Sequence, residues 1–380
     1  MSVLIICEKP SVAKTVALAL GAAEQKDGYL SGDGLLVSWC IGHLISMADA
    51  GSYDERYKKW RYEDLPILPQ MWKYAPTPGK EKQLAVLKEL LHRSDVSEVV
   101  NGCDAGREGE LIFRFVYEQA GCTKPFSRLW ISSMEDSAIR EGFAGRRAGT
   151  EYDALYQSAL CRARADWLVG INATRLFSVL YHKTLNVGRV LSPTLNLLVE
   201  RDGKITMFHK EKYHIVHIGC GGVDAESERI SDAAAADALK TACEASQAIC
   251  ISLKKEKKTA LPPKLFDLTS LQREANRVYG FTAKQTLDYA QSLYEKRFLT
   301  YPRTDSNYLT EDMAQTATDL VAALLPVLPF MQGAELKPEI GRVINSAKVS
   351  DHHAIIPTAA FAGSGFDGLP ESEKKLMSLV

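Results

Sequence analysis

The sequence predicts an α/β layered domain on a parallel sheet, followed by a mainly helical region with a small strand-containing insert. Three observations carry that expectation. Val3-Leu-Ile-Ile-Cys7 is a continuous apolar run, as in a strand buried on both faces. A second run, Val96–Val100, follows a helical stretch at Lys82–His92, so strand and helix alternate. From Asp153 to Tyr181 the pattern stays helical for about eight turns, with a kink expected near Gly170.

The remaining elements follow in order. Ser11 is placed to cap a helix Val12–Leu20, Gly34–Leu44 reads as a strand and its exit, and Arg107–Ala120 as a helix stopped by Gly121. Tyr213–Ile218 alternates like a strand, Ser231–Ala245 is an Ala-rich helix, and another strand is expected after it. Lys254–Lys258 reads as a solvated linker. Two helices, Asp267–Tyr279 and Thr282–Lys296, flank Gly280, and Thr269/Gln272 and Thr282/Gln285 have capping-box spacing. The expected domains are 1–145 and 150–380, the latter divided into 150–208, 209–260 and 261–380.

A net charge of −1 excludes a chromatin-type basic protein but not a DNA ligand, for which local clusters of Lys and Arg decide. The eight cysteines are scattered without a CxxC pair, so reduced thiols are expected rather than a zinc site or disulfide frame. The first apolar run is too short to span a bilayer and lacks a signal-peptide layout. A soluble, cytoplasmic, monomeric protein without a membrane partner is expected.

Glu8 directly follows the first apolar run, and Asp104 follows the second after a short turn. Groups just past adjacent parallel strand ends converge in one crevice. Glu108 and Glu110 lie in the first turn of the next helix. Two readings stay open from spacing alone. The acids hold a hard cation such as Mg²⁺, with waters and a substrate phosphate completing its shell, or they complement the helix dipole.

Phe298-Leu-Thr-Tyr301-Pro302-Arg303-Thr304-Asp305-Ser306 is the most informative stretch. Proline pushes Tyr301 out of the helical region, and Arg303, two residues on, lies on the same side of an extended chain. A guanidinium there can clamp a phosphate through paired hydrogen bonds. A free tyrosine titrates at about 10 and needs help to act as a nucleophile. Taken alone, the pair reads more readily as a buried strand Tyr beside a surface Arg. On the long helix, Arg164 and Arg175 are three turns apart and share a face flanked by Trp167 and Asn172, suited either to solvent or to a single-stranded backbone.

Cys7-Glu8-Lys9-Pro10-Ser11 together with Asp104-Ala-Gly-Arg-Glu108-Gly-Glu110 resembles the Toprim domain of type IA DNA topoisomerases. Tyr301-Pro-Arg-Thr-Asp-Ser306 resembles that family's active-site segment, whose tyrosine becomes linked to a 5′ phosphate. Arg162–Arg175 is similar to its DNA-gripping helix, and Asn186-Val-Gly188-Arg189-Val-Leu-Ser192-Pro-Thr194 to a loop touching the DNA backbone. Ser350–Thr358 matches a further motif, which implies that His352 lies beside the nucleophile as a phosphate contact. Trp39–Leu44, the Trp60/Arg61 region and Trp130–Met134 look like pieces of the topoisomerase III branch. The resemblance runs from Met1 to beyond Pro357.

The resemblance implies a Toprim fold followed by the mainly helical type IA core with a small β-containing arch. It implies Mg²⁺ as cofactor, single-stranded DNA as substrate, Tyr301 as nucleophile, Glu8 as general acid, and Lys9, Arg303 and His352 around the phosphate. Arg303, Asp305 and Ser306 are further expected to contact DNA. Two departures stand out. Gly106 replaces the middle carboxylate of an Asp-x-Asp-x-Glu pattern, favouring one ion on Asp104, Glu108 and Glu8 over two, and Leu191 stands where many members have Gln. One phosphoester replaces another and no GxxxxGK[ST] loop is present, so no ATP is expected. Members form a ring-shaped gate and extend well past Val380, so a truncated chain with defective strand passage is expected. A Toprim nuclease using Glu8 and Asp104 without Tyr301, or a single-stranded-DNA binder without turnover, are the competing readings.

Overall fold

The computed structural model describes residues 1–132, 134–328, 338–349 and 352–380. Ser133, Ser350 and Asp351, which belong to motifs named above, lie outside them. The described residues form two compact units, Met1–Val187 with Pro263–Val380, and Gly188–Pro262.

The first unit opens with β1 (Ser2–Cys7), α1 (Pro10–Leu20), β2 (Glu24–Lys26), β3 (Tyr29–Gly32), β4 (Leu35–Trp39), β5 (Ile45–Met47) and β6 (Tyr74–Pro76). It continues with α2 (Glu81–His92), β7 (Val96–Gly102), α3 (Arg107–Gln119), β8 (Phe126–Arg128), α4 (Asp136–Ala144), β9 (Arg147–Ala148) and the long α5 (Asp153–Leu180). Seven strands form one sheet in the order β2-β3-β4-β1-β7-β8-β9. Its centre, β4-β1-β7-β8, is parallel as expected, but both edges are antiparallel, so the sheet is mixed. The cause at one edge is local. Asp33 and Gly34 both adopt positive φ (48° and 74°), the geometry of a two-residue hairpin turn, and fold β3 back on β4.

Alternate residues of β1 serve opposite faces. Leu4 and Ile6 pack with Leu84, Leu87, Ile112, Phe113, Phe115 and Tyr156, from α2, α3 and α5. Ile5 and Cys7 pack with Val12, Val16, Leu129 and Ile139, and also with Tyr294 and Tyr301 from far along the chain. The helix after β1 begins at Pro10 rather than behind a Ser11 cap, and Lys9 at its N-cap makes no side-chain cap bond. Proline's fixed φ and missing N–H suit the first helical position. The helix at Asp153–Leu180 is continuous.

The second unit holds α6 (Leu191–Thr206), the hairpin β10 (His217–Cys220) with β11 (Val223–Glu226), and α7 (Ala233–Glu244). Pairing thus starts later than the expected Tyr213 strand, whose His214 makes only an isolated bridge to Ile230. The strand expected after α7 does not form, since residues 247–265 have no regular structure. Its alternating Ile249, Ile251 and Leu253 stay largely exposed, without a partner strand among the described residues.

The chain then returns to the first unit with α8 (Leu268–Tyr279), α9 (Ala283–Glu295), α10 (Ala314–Leu324), α11 (Ala359–Ser364) and α12 (Glu371–Leu379). Thr282 and Gln285 form the expected capping box, whereas α8 is capped two residues earlier than expected, by Asp267 with Ser270. The Asp267 carboxylate also complements the helix dipole. Leu271, Ala275, Ala290, Leu293, Leu299, Ile355, Phe361 and Leu376 form this part's core. Among the described residues no helix is long and apolar enough to cross a membrane, and all eight cysteines are free.

Candidate active site

The segment 298–306 is a connector stitched in by its backbone. Thr300 N–H donates to Ile356 O (3.0 Å), Thr358 N–H to Phe298 O (3.1 Å) and Tyr301 N–H to Ser132 O (3.1 Å). These bonds press Tyr301 against the carboxyl end of the sheet. Its hydroxyl donates to Asp104 Oδ2 at 3.0 Å, although the two residues are 197 positions apart. The ring packs edge-on against Tyr294 (5.3 Å between centroids) and lies 4.4 Å from the His352 ring.

An open cleft of about 630 Å³ lies over this contact, lined by Glu8, Lys9, Asp104, Glu108, Arg162, Tyr301, Arg303, Asp305 and His352, among others. The two strand ends, the segment carrying Tyr301 and α5 thus meet in one place. Gly109 makes the approach of α3 feasible, because a Cβ there would stand 2.1 Å from the Asp104 carbonyl oxygen.

Burial and the facing charge of Asp104 push the Glu8 carboxyl up to about 7, against the opposing pull of Lys9, Arg303 and His43. Lys9 Nζ stands 4.0 Å from Glu8 Oε1. Burial and the Asp104 carboxylate, which accepts its proton, raise the Tyr301 phenol well above its ordinary value, with Arg303 opposing. Tyr301 therefore rests as a neutral phenol.

Several expected roles change. Glu110 is fully buried, faces Arg114 and Arg128, and is not part of the cleft. Glu108 lines the cleft, but its Oε1 pairs with His43 Nε2 at 2.7 Å and is held low by it. Among the described residues no three His, Cys, Asp or Glu side chains converge closely enough to hold an ion. The donor set still suits a hard cation held by one or two carboxylates, waters and a substrate phosphate, rather than by a closed protein cage.

His352 sits beside Tyr301 as expected, but both ring nitrogens engage the protein, Nδ1 with Ser132 Oγ (2.9 Å) and Nε2 with Ala105 O (2.5 Å). The carbonyl can only accept, so Nε2 carries a proton. Ser306 is buried, donating to Lys348 O (2.9 Å) and accepting from Tyr308 N–H (3.1 Å), and so supports the connector instead of facing DNA.

The expected DNA face of α5 is turned inward. Arg175 is 5% exposed, donates to Tyr57 O (2.7 Å) and covers the Trp60 ring. Asn172 donates to Ile67 O (3.0 Å) and accepts its N–H (2.6 Å), and Trp167 donates to Ala48 O (3.1 Å). Arg164 donates to Tyr74 Oη (3.2 Å) and covers Trp72. These four pin α5 to the loops around residues 48–74. The α5 residue that reaches the cleft is Arg162, two positions before Arg164 and on nearly the opposite side of the helix. Trp60, Arg61 and Asn186 are exposed. In the second unit Arg189 is exposed, while Ser192 Oγ accepts Gly188 N–H (3.2 Å) and Thr194 Oγ1 donates to Val190 O (2.8 Å).

The fold and site define an α/β class of protein, with helices on both faces of a mixed sheet and a tyrosine from a distant segment set over the acids at its carboxyl end. Residues 3–134 match the Toprim domain family and residues 150–380 match the DNA topoisomerase family. The chain belongs to the DNA topoisomerase family, of type IA. It is similar to DNA topoisomerase 3 of Shouchella clausii (strain KSM-K16) and of Bacillus subtilis (strain 168), each 40% identical over 391 residues, covering 99% of this chain and 53% of theirs. The chain thus spans about half the length of the curated relatives it matches. Among solved structures it resembles full-length topoisomerase I from Thermotoga maritima, with TM-score 0.68 and 26% identity, over 99% of this chain and 59% of that one.

Proposed function

We propose that this chain breaks and rejoins single-stranded DNA through a 5′-phosphotyrosine at Tyr301, without ATP. The observation that carries the reading is the Tyr301 hydroxyl donating to Asp104 in a cleft that also exposes Arg303 and Lys9. The scissile phosphate lies between these groups. As the phenol oxygen attacks phosphorus, its proton leaves by way of Asp104 Oδ2, towards which it already points, to solvent. The bond to the 3′ oxygen breaks, and Glu8, still protonated near neutrality, supplies the proton that oxygen needs. Religation reverses each transfer. Lys9, Arg303 and Arg162 balance charge developing on the phosphate.

Glu8 as proton donor leaves Asp104 and Glu108 to hold Mg²⁺, which would polarise the phosphate and orient the departing strand end. His352 fixes the Tyr301 ring through Ser132 and Ala105. In domain terms, 1–145 supplies the acids and 261–380 the nucleophile.

Incubating the chain with labelled single-stranded DNA and Mg²⁺, then denaturing, tests the proposal. A covalent adduct lost in Tyr301→Phe is the expected result. Free ends without an adduct would mean a nuclease, and retention without cleavage a binding protein.

A further inference from the structure

One guanidinium fastens together the two strand exits from which the cleft is built. Arg128 ends β8 with its side chain wholly buried, and it does not line the cleft. Its Nη1 donates to the carbonyls of Asn101 (3.0 Å), Cys103 (2.7 Å) and Leu129 (2.9 Å), and Nη2 donates to that of Asp104 (2.7 Å). Asn101, Cys103 and Asp104 are the exit of β7. Leu129 is the exit of β8, which leads to Ser132, whose carbonyl takes the Tyr301 N–H and whose hydroxyl pairs with His352.

The other edge of the guanidinium faces Glu110, with Nε 3.3 Å from Oε2, so its charge is balanced away from solvent. Its face covers Trp130 at 5.2 Å, and that ring lies nearly parallel to the His352 ring, 6.5 Å away. A planar fork of fixed donors can reach carbonyls on two strand exits together, which the point charge of a lysine cannot.

We propose that Arg128 is a positioning residue that sets the separation of the Tyr301 hydroxyl from Asp104 by clamping the two strand exits together. This rests on Tyr301 being the nucleophile. Supports one layer behind reacting groups are typically worth about 10–100-fold in activity, and a displacement of about 1 Å at the reacting centre costs a similar factor.

Removing Arg128 alone leaves the buried Glu110 with Arg114 as its one facing cation and risks unfolding. The paired change Arg128→Met with Glu110→Gln removes both charges, leaves an acceptor for the buried Asn101 Nδ2, and keeps the fold without the clamp. Arg128→Lys is the second variant, keeping the charge but not the fork. Each is compared with the parent chain by thermal midpoint, by affinity for a labelled single-stranded oligonucleotide, and by single-turnover adduct rate. The Tyr301 ring signal is followed by NMR of ring-labelled tyrosine, assigned through Tyr301→Phe.

The paired variant is expected to melt near the parent and bind the oligonucleotide as the parent does. Its adduct forms about 10–100-fold more slowly, and its Tyr301 signal moves toward that of Asp104→Asn. Arg128→Lys falls between, and it decides the matter by the same signal if the paired variant does not fold. A folded variant with parent-like adduct rate and parent-like Tyr301 signal overturns the proposal. If the parent itself formed no adduct, the nucleophile reading would fail, while the Tyr301 signal would still judge the clamp.

Discussion

Buried at the end of β1 and facing Asp104, the Glu8 carboxyl keeps its proton up to about pH 7, against an ordinary value of 4.5. The direction of this shift makes two predictions. Adduct formation, which needs the protonated acid, declines by about tenfold per unit as pH rises above 7, whereas Glu8→Gln is slower by about 10²–10⁴ and loses that pH dependence. A pH–rate profile of single-turnover cleavage checks this. The folded state also binds the Glu8 proton more tightly than the unfolded state. The stability it gives is therefore complete below pH 4.5 and lost as pH rises through 7. Glu8→Gln accordingly raises the thermal midpoint at pH 8 and not at pH 4, a comparison that calorimetry makes directly. Arg162 reaches the same cleft from α5. Arg162→Ala should weaken oligonucleotide binding uniformly across sequences and reduce the slope of log affinity against log salt by about 1.

At the scale of an element, α5 shows what periodicity conveys. Spacing of 3.6 residues per turn says correctly that Arg164, Trp167, Asn172 and Arg175 lie along neighbouring rows of one helix. It does not say which row faces protein. The packed side is decided by loops around residues 48–74, whose carbonyls and rings receive these groups. Asn172→Ala leaves the Ile67 N–H and carbonyl unpaired in a part-buried site and should cost about 1–3 kcal/mol in urea unfolding. Its effect on oligonucleotide affinity, measured under folding conditions, should be small; a loss as large as that of Arg162→Ala would restore the DNA-facing reading. At α3 the constraint is steric. Gly109→Ala drives a methyl group into the Asp104 carbonyl oxygen. Either the helix start or the acid must move, and adduct formation should fall even where the fold survives.

On the scale of the whole molecule, the helical part that carries Tyr301 and the sheet form one compact unit. Tyr294 and Tyr301 enter the same apolar cluster as Ile5, Val37 and Val100 of the sheet. Removing a buried aromatic typically costs about 3–5 kcal/mol. Tyr294→Ala should therefore lower amide-exchange protection in β1 and in α9 together, and a loss confined to α9 would show that the two parts are stabilised separately. The second unit, whose α6 has no buried residue, should be unaffected.

The chain's own order of residues determined whatever depends on neighbours in sequence: the central parallel strands, the long helices, the capping box at Thr282, and the Glu8, Asp104 and Tyr301 motifs. Each is a contiguous string or a short period, so local chemistry suffices to read it. Tertiary structure alone decided which groups share the cleft. The tyrosine and the acid it donates to are 197 positions apart, and no spacing rule joins them. The sequence does not single out Arg128, and it shows Arg162 and His43 only as parts of longer motifs, for the same reason. Their partners are carbonyls, a cleft wall and a carboxylate brought in by other segments, while the acid expected at Glu110 was drawn into the interior by two arginines that only packing places beside it.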